Sequence, residues 1–102
     1  MWVVIFRATV REFDEEYAKT AARMRELALG EFGCIEFHSV TEGREEVALS
    51  YWTSEAHIKA WRSHPEHLAA QRLGRERWYE RYSVEVAEIA RRYASVDPAS
   101  AG

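Results

Sequence analysis

The residues best suited to chemistry lie together in one stretch of the second half of the chain. This stretch carries indole rings, imidazole rings and an amide: Trp52, His57, Trp61, His64, His67 and Gln71. Histidine titrates near neutral pH and can act as a general acid or base, and an indole ring can line a ligand pocket with its N–H free to donate. We expect His64 to accept a proton and Trp61 to line a pocket beside it. The alternative for Trp61 is a place in the core.

Two other chemistries fit these residues less well. His64 and His67 are three residues apart and could share one metal ion, but a catalytic zinc site needs a third protein ligand. His57 lies beyond the break that Pro65 makes in the helical pattern, so we expect no metal. Cys34 has no predicted helix amino terminus behind it to activate the thiol. We therefore expect Cys34 to be a small core residue rather than a nucleophile.

The composition excludes several classes of protein. A chain of 102 residues is typical of one domain, and its longest apolar run, from Trp2 to Phe6, is far short of the ~20 residues of a membrane span. Arg7 follows that run directly, so we expect no signal peptide. Cys34 stands alone, which favours a reducing cytoplasm. With 17 acidic and 14 basic residues, we expect no nucleic-acid partner, and the short apolar run predicts no membrane partner.

The elements that must position these residues can be predicted from local patterns. Trp2 to Thr9 is rich in β-branched and aromatic residues, which favours a strand. Asp14 is a suitable N-cap for a helix of about four turns, and Gly30 could end that helix as a C′ glycine. Two strands joined by a short glycine-containing turn, Cys34 to Val40 and Glu46 to Trp52, predict a hairpin.

The second half predicts a broken helical region and a last strand. Ser54 begins a helical pattern that is interrupted at His64, because proline disfavours helix at the residue before it. Pro65 suits the first position of a new helix, and Tyr82 to Ile89 alternates as a strand does. The order β-α-β-β-α-β predicts an α+β, ferredoxin-like fold with a four-stranded antiparallel sheet and both helices on one face. We expect one domain over residues 1–93 and a flexible tail over 94–102.

Two of the predicted strands are apolar on both faces. In the first strand Val3 and Ile5 face one way and Val4 and Phe6 the other, so helices on one side leave an apolar surface on the second side. Another copy of the same sheet, related by a two-fold axis, would cover that surface. The pattern therefore predicts a homodimer.

The segment from Tyr51 to Tyr82 resembles the antibiotic biosynthesis monooxygenase family of the dimeric α/β-barrel superfamily. The resemblance covers residues 2–93. It depends most on Tyr51-Trp52 at the end of a strand, on the helical Trp61, and on two dipeptides before the last strand, Gly74-Arg75 and Trp78-Tyr79. It implies a pair of ferredoxin-like subunits whose sheets meet in a barrel.

Members of this family differ in their chemistry. Some are cofactor-independent monooxygenases that oxidise aromatic phenols to quinones, and others degrade haem with an Asn, a Trp and an axial His. By register, the family's Trp corresponds to Trp61, its Asn to Phe6 and its axial His to Gln71. The chain contains no Asn, so the resemblance disfavours haem degradation.

The function that we expect is a cofactor-independent monooxygenase of small aromatic, hydroquinone-like substrates. Its pocket would lie between sheet and helices, lined by Phe6 and Trp61. His64 would be the proton acceptor, with His67 as the weaker second candidate. Tyr51 could orient the substrate, as could Arg72 from a run of arginines typical of a solvated helix face. The alternatives are a module that binds an aromatic or haem-like ligand without turnover, and a structural dimer whose cleft is filled by its own side chains.

Overall fold

The computed structural model describes residues 1–95 and has the ferredoxin-like α+β fold expected from the sequence. Its elements are β1 (Trp2–Val10), α1 (Glu15–Gly30), β2 (Glu36–Glu42), β3 (Glu45–Trp52), α2 (Glu55–Ser63), α3 (Pro65–Leu73), one π-helical turn (Gly74–Trp78) and β4 (Tyr79–Glu88). The four strands form one antiparallel sheet in the order β2-β3-β1-β4. Most of the predicted tail, residues 96–102, lies outside the described residues.

All three helices begin at capping residues that the sequence indicates. The Asp14 carboxylate accepts the Tyr17 N–H at 2.7 Å at the start of α1, and the Ser54 side chain caps α2. His64 caps α3 through Nδ1, directly before Pro65 at the first helical positions. Each cap satisfies an amide that has no partner inside its own helix. Local chemistry therefore decides where the helices begin.

The predicted end of α1 was wrong. Gly30 is part of the helix, and Glu31 follows it in right-handed helical geometry with its N–H bonded to the Leu27 carbonyl. The chain reverses two residues later, at Gly33, whose φ of 78° lies in the left-handed region that glycine adopts without strain. The glycine that ends this segment is therefore Gly33.

The strand boundaries also differ from those expected. The second strand starts at Glu36 instead of Cys34, and β4 starts at Tyr79 instead of Tyr82. The reason for the longer β4 is β1, which extends to Val10 and pairs with Tyr79 across a register shift. Long-range pairing, which a local pattern does not contain, sets this boundary.

The two faces of the sheet have different surroundings. The helices cover the face that carries Val4 and Trp52, which pack with Leu27, Ile58 and Trp61 in the core. Because side chains alternate along a strand, the opposite face carries an apolar stripe from β1, β3 and β2: Val3, Ile5, Val47, Leu49, Tyr51 and Val40. No helix within residues 1–95 is long and apolar enough to cross a membrane.

Candidate functional site

A cavity of about 320 Å³ lies between the sheet and the three helices. Its volume falls within the range of about 300 to 1,000 Å³ that is typical of small-molecule sites. Val4, Ala48 and Val84 form part of its floor, and Ala21 and Met24 of α1 form part of one wall. Ala21 is exposed, so the cavity is open to solvent along α1. The space is therefore accessible and mostly apolar.

Aromatic rings form both ends of the cavity. At one end the Phe6 ring lies 5.3 Å from the Tyr79 ring, and at the other the Trp61 ring lies 6.2 Å from the Phe37 ring. The Trp61 indole N–H donates to the Met24 carbonyl at 3.1 Å. From the sequence we expect this N–H to be free for a ligand. In the structure it is already used, and it links α2 to α1. Trp61 thus offers a fixed aromatic surface.

His67 places an imidazole ring in this cavity, on the first turns of α3. Its ring centroid lies 4.4 Å from that of Trp61, in an edge-on arrangement. The Gln71 amide nitrogen, one helical turn further, is 2.9 Å from His67 Nδ1 and 3.0 Å from the Arg62 carbonyl oxygen. A carbonyl only accepts, so this contact identifies the Gln71 nitrogen as the donor to both. His67 Nδ1 is then the acceptor, and the neutral ring carries its proton on Nε2.

Burial keeps this ring uncharged. Desolvation, with a smaller effect from the charges of Arg62 and His64, lowers the pKa of His67 from 6.5 to about 4. At neutral pH the side chain is therefore a weak base. Its Nε2–H can donate a hydrogen bond, which suits stabilisation of a negative oxygen more than removal of a proton.

Two tyrosines at the other end of the cavity are also uncharged. Burial, with a smaller effect from the Glu46 carboxylate, raises the pKa of Tyr17 to about 12. The pKa of Tyr79 is raised further, mainly by burial. Both phenols keep their protons at neutral pH, so they can serve as hydrogen-bonding groups toward a ligand.

The structure brings together only some of the predicted site residues. Phe6, Trp61 and His67 all line the cavity. Three others do not. His64 has Nδ1 bonded to the Glu66 N–H at 3.1 Å as a helix cap, and it lies outside the cavity lining.

Tyr51 and Arg72 lie elsewhere for geometric reasons. Tyr51 alternates with the buried Trp52 and therefore faces the opposite side of the sheet, where the Arg92 guanidinium lies 4.9 Å from its ring. Arg72 is exposed on α3, beside Gln71. Neither residue contacts the cavity.

Sequence reasoning missed several residues that line the cavity, Arg25 of α1 among them. Gln71 was considered only as the position of a haem ligand, and Arg62 and Tyr79 were given no role. The four-residue spacing of His67 and Gln71 was a usable signal, because side chains at i and i+4 share one helix face. Arg62 faces the cavity because of how α2 packs on the sheet, and Tyr79 because of how β4 pairs with β1. The sequence pattern contains neither kind of information.

Comparisons with known proteins agree with this architecture. YqjZ, an uncharacterized protein of Bacillus subtilis (strain 168), is 44% identical over 92 residues, which cover 88% of this chain and 80% of YqjZ. SnoaB, a cofactor-independent oxygenase from Streptomyces nogalater, superposes with a TM-score of 0.75 at 14% identity over 92% of this chain and 97% of its own. A conserved protein from Methanosarcina mazei Go1 gives a TM-score of 0.73 at 18% identity, over 84% and 89% of the two chains.

At these identities the two solved structures show a shared fold and nothing finer. The family model for antibiotic biosynthesis monooxygenase matches residues 1–73, more than half of the chain. This match, together with the fold, establishes that the chain belongs to the antibiotic biosynthesis monooxygenase family.

Proposed function

We propose that this protein is a cofactor-independent monooxygenase that oxidises a small hydroxylated aromatic substrate. The observation that carries the proposal is the open aromatic cavity of about 320 Å³ in which His67 carries its proton on Nε2. Family membership supports the reaction type. A cavity between Phe6 and Trp61 also argues against a structural dimer whose cleft is filled by its own side chains.

The substrate itself supplies the electrons in this reaction. A phenol that loses its proton becomes electron-rich enough to reduce O₂. One oxygen atom then bonds to a ring carbon and the other leaves as water, whose two hydrogens come from that ring carbon and from the phenolic O–H. The protein has to bind the ring, exclude bulk water and favour the anionic form of the substrate.

In this proposal His67 stabilises the substrate anion. Its Nε2–H would donate to the oxygen that becomes negative, while Trp61 and Phe6 hold the ring. With a pKa of about 4, the His67 ring is neutral at neutral pH and meets a bound phenolate as a hydrogen-bond donor. The substrate proton would leave to solvent through the open side of the cavity. His64 has no part in this step, because its ring lies outside the lining.

Haem fits these residues poorly. His67 is the one histidine that lines the cavity within residues 1–95, and its Nε2 carries the proton in the arrangement that Gln71 imposes. To bind iron through Nε2 the ring would have to carry its proton on Nδ1 instead, where that proton would face the N–H group of Gln71. The same described residues contain no group of three or more His, Cys, Asp or Glu side chains that could hold a metal ion.

We also propose that the protein works as a homodimer through the uncovered face of its sheet. The apolar stripe around Leu49 has no helix against it in residues 1–95, and most of its side chains are only half-buried. An uncovered apolar surface of this kind favours self-association. Replacing Leu49 with Arg is expected to give a monomer in analytical ultracentrifugation. Leu68→Arg, on the exposed outer side of α3, is the matched control and should stay dimeric. A monomeric wild type at micromolar concentration would refute the proposal.

Oxygen uptake tests the proposed reaction. Purified, metal-stripped protein is mixed with anthrone, 1-naphthol or a hydroquinone, and O₂ consumption is followed with an electrode. We expect saturable uptake that falls about 100-fold or more in His67→Phe, the scale typical of a lost hydrogen-bond donor to a developing oxyanion. His57→Ala, an exposed histidine outside the cavity, is the control. Uptake that His67→Phe leaves unchanged would contradict the role of His67.

A further inference from the structure

We infer that the substrate carries an anionic group, most simply a carboxylate, which Arg25 and Arg62 bind at the Trp61 end of the cavity. The inference rests on the proposed function, since it specifies the substrate class of the same site. Both arginines line the cavity. They come from different helices, Arg25 from α1 and Arg62 from α2.

Neither of these arginines is neutralised within the protein. Among residues 1–95, neither side chain takes part in a salt bridge or donates a side-chain hydrogen bond. Arg23 and Arg77 are paired, with Glu66 at 3.0 Å and with Asp14 at 2.9 Å. Arg72 and Arg75 have no ion pair within the described residues either, but both are exposed and neither lines the cavity. Arg25 is exposed and Arg62 half-buried, so both guanidinium groups have hydrogen-bond donors left for an anion bound in the cavity.

The guanidinium groups of Arg25 and Arg62 lie at the same end of the cavity as His67. The Arg25 guanidinium lies 5.9 Å from the Phe37 ring centroid, and Phe37 packs edge-on against Trp61. The Arg62 charge is close enough to His67 to contribute to its low pKa. An anionic group held by these arginines would therefore lie next to the oxygen that His67 contacts.

The acidic residue of the cavity is remote from this end. The Glu46 carboxylate is close enough to Tyr17 and Tyr79 to raise their pKa values. Tyr17 lies eight residues before Arg25 on α1. At 1.5 Å per residue this is about 12 Å along the helix. The cavity is thus cationic at one end and acidic at the other. A hydroxylated aromatic acid, with its carboxylate beside its hydroxyl, matches this distribution better than a neutral phenol does.

The chemistry of arginine favours such a ligand. A guanidinium group donates two parallel hydrogen bonds to a carboxylate, and it is weakly hydrated enough to do so in a partly buried site. Arg62 is half-buried, which lessens the screening of its charge by water. The contact of Arg25 with Phe37 also holds its side chain near the cavity.

Binding measurements test this inference without any need for turnover. Titration calorimetry compares 1-hydroxy-2-naphthoate with 1-naphthol, which has the same rings and hydroxyl but no carboxylate. We expect the naphthoate to bind at least 10-fold more tightly at low salt, and we expect this difference to shrink in 0.5 M NaCl. Arg62→Met and Arg25→Met should each weaken naphthoate binding about 5-fold or more and leave 1-naphthol binding nearly unchanged.

Lys59→Met is the matched control. Lys59 is exposed on α2, one turn before Arg62, and does not line the cavity, so its replacement removes the same charge without touching the site. Equal affinity for the two ligands, or an equal effect of Lys59→Met, would overturn the inference and leave the proposed function standing. Failure of both ligands to bind the wild type would overturn both. Affinity for 1-naphthol also reports whether each variant keeps a folded cavity.

Discussion

Acidification is expected to destabilise this protein through one ring in particular, that of His67. The ring lines the cavity, packs on Trp61 and accepts a hydrogen bond from Gln71 on Nδ1. Burial lowers its pKa from 6.5 to about 4. In the unfolded chain the pKa returns to the ordinary value. Between about pH 6.5 and pH 4 the unfolded state therefore binds more protons than the folded state, and the free energy of unfolding falls as the pH falls.

The size of this effect follows from the difference between the two pKa values. Each unit of pKa difference corresponds to about 1.4 kcal/mol. A pKa lowered from 6.5 to about 4 therefore reduces the free energy of unfolding by about 3 kcal/mol once the pH is below both values. At about pH 4.5 most of the loss, about 2 to 3 kcal/mol, is already present. For a domain of this size the midpoint of thermal unfolding would move by roughly 10 to 20 °C.

Urea unfolding at a series of pH values measures this directly. The wild type is compared with His67→Phe, which keeps an aromatic ring against Trp61, and with His57→Gln, which changes an exposed histidine. We expect the wild type and His57→Gln to lose stability in parallel between pH 6.5 and 4. In His67→Phe this part of the loss should be absent, whatever the stability of that variant at pH 8.

Two results would refute the reasoning. One is a pH dependence in His67→Phe that matches the wild type, since the ring would then contribute nothing. The other is an NMR titration in which the His67 ring of the folded protein protonates near pH 6.5. That result would mean that the cavity is more hydrated around the ring than the contacts with Trp61 and Gln71 imply.

The remaining predictions concern two glycines and the tautomer of His67. Gly74→Ala should lower the free energy of unfolding by about 1 to 3 kcal/mol, because the new Cβ would lie 2.7 Å from Cδ2 of Tyr79. Gly30→Ala, with no atom within 4 Å of the new Cβ, should raise the free energy of unfolding by up to about 1 kcal/mol. If urea unfolding showed Gly74→Ala to be the more stable of the two variants, the packing at Gly74 would be contradicted. Gln71→Leu removes the donor to Nδ1, so ¹⁵N NMR should show mixed tautomers of His67; a ring that stays protonated on Nε2 alone would show that Gln71 does not position it.

The order of elements could be predicted because its signals are local. Helix starts are marked by Asp14, Ser54 and Pro65. Asp14 and Ser54 each accept a backbone N–H that has no partner in the helix, and Pro65 has no N–H to leave unpaired. None of this needs distant residues. The errors occurred where distant residues decide. The start of β4 at Tyr79 depends on how far β1 extends, and the chain reversal at Gly33 depends on where the segment after α1 must return to the sheet.

The candidate site divides in the same way. Residue types and spacing were enough to select Phe6, Trp61 and His67, which line one cavity. They could not exclude Tyr51 and Arg72, each of which is the immediate neighbour of an inward-facing residue.

The physical reason is that adjacent residues point in different directions. In a strand they face opposite sides of the sheet, and in a helix they are about 100° apart. Which of two neighbours enters the cavity is decided by strand register and by the rotation of each helix against the sheet. The sequence alone thus determined the kinds of side chain available, the caps and the order of elements. The tertiary structure alone decided that His67, rather than His64, shares its space with Trp61, Gln71 and Arg62.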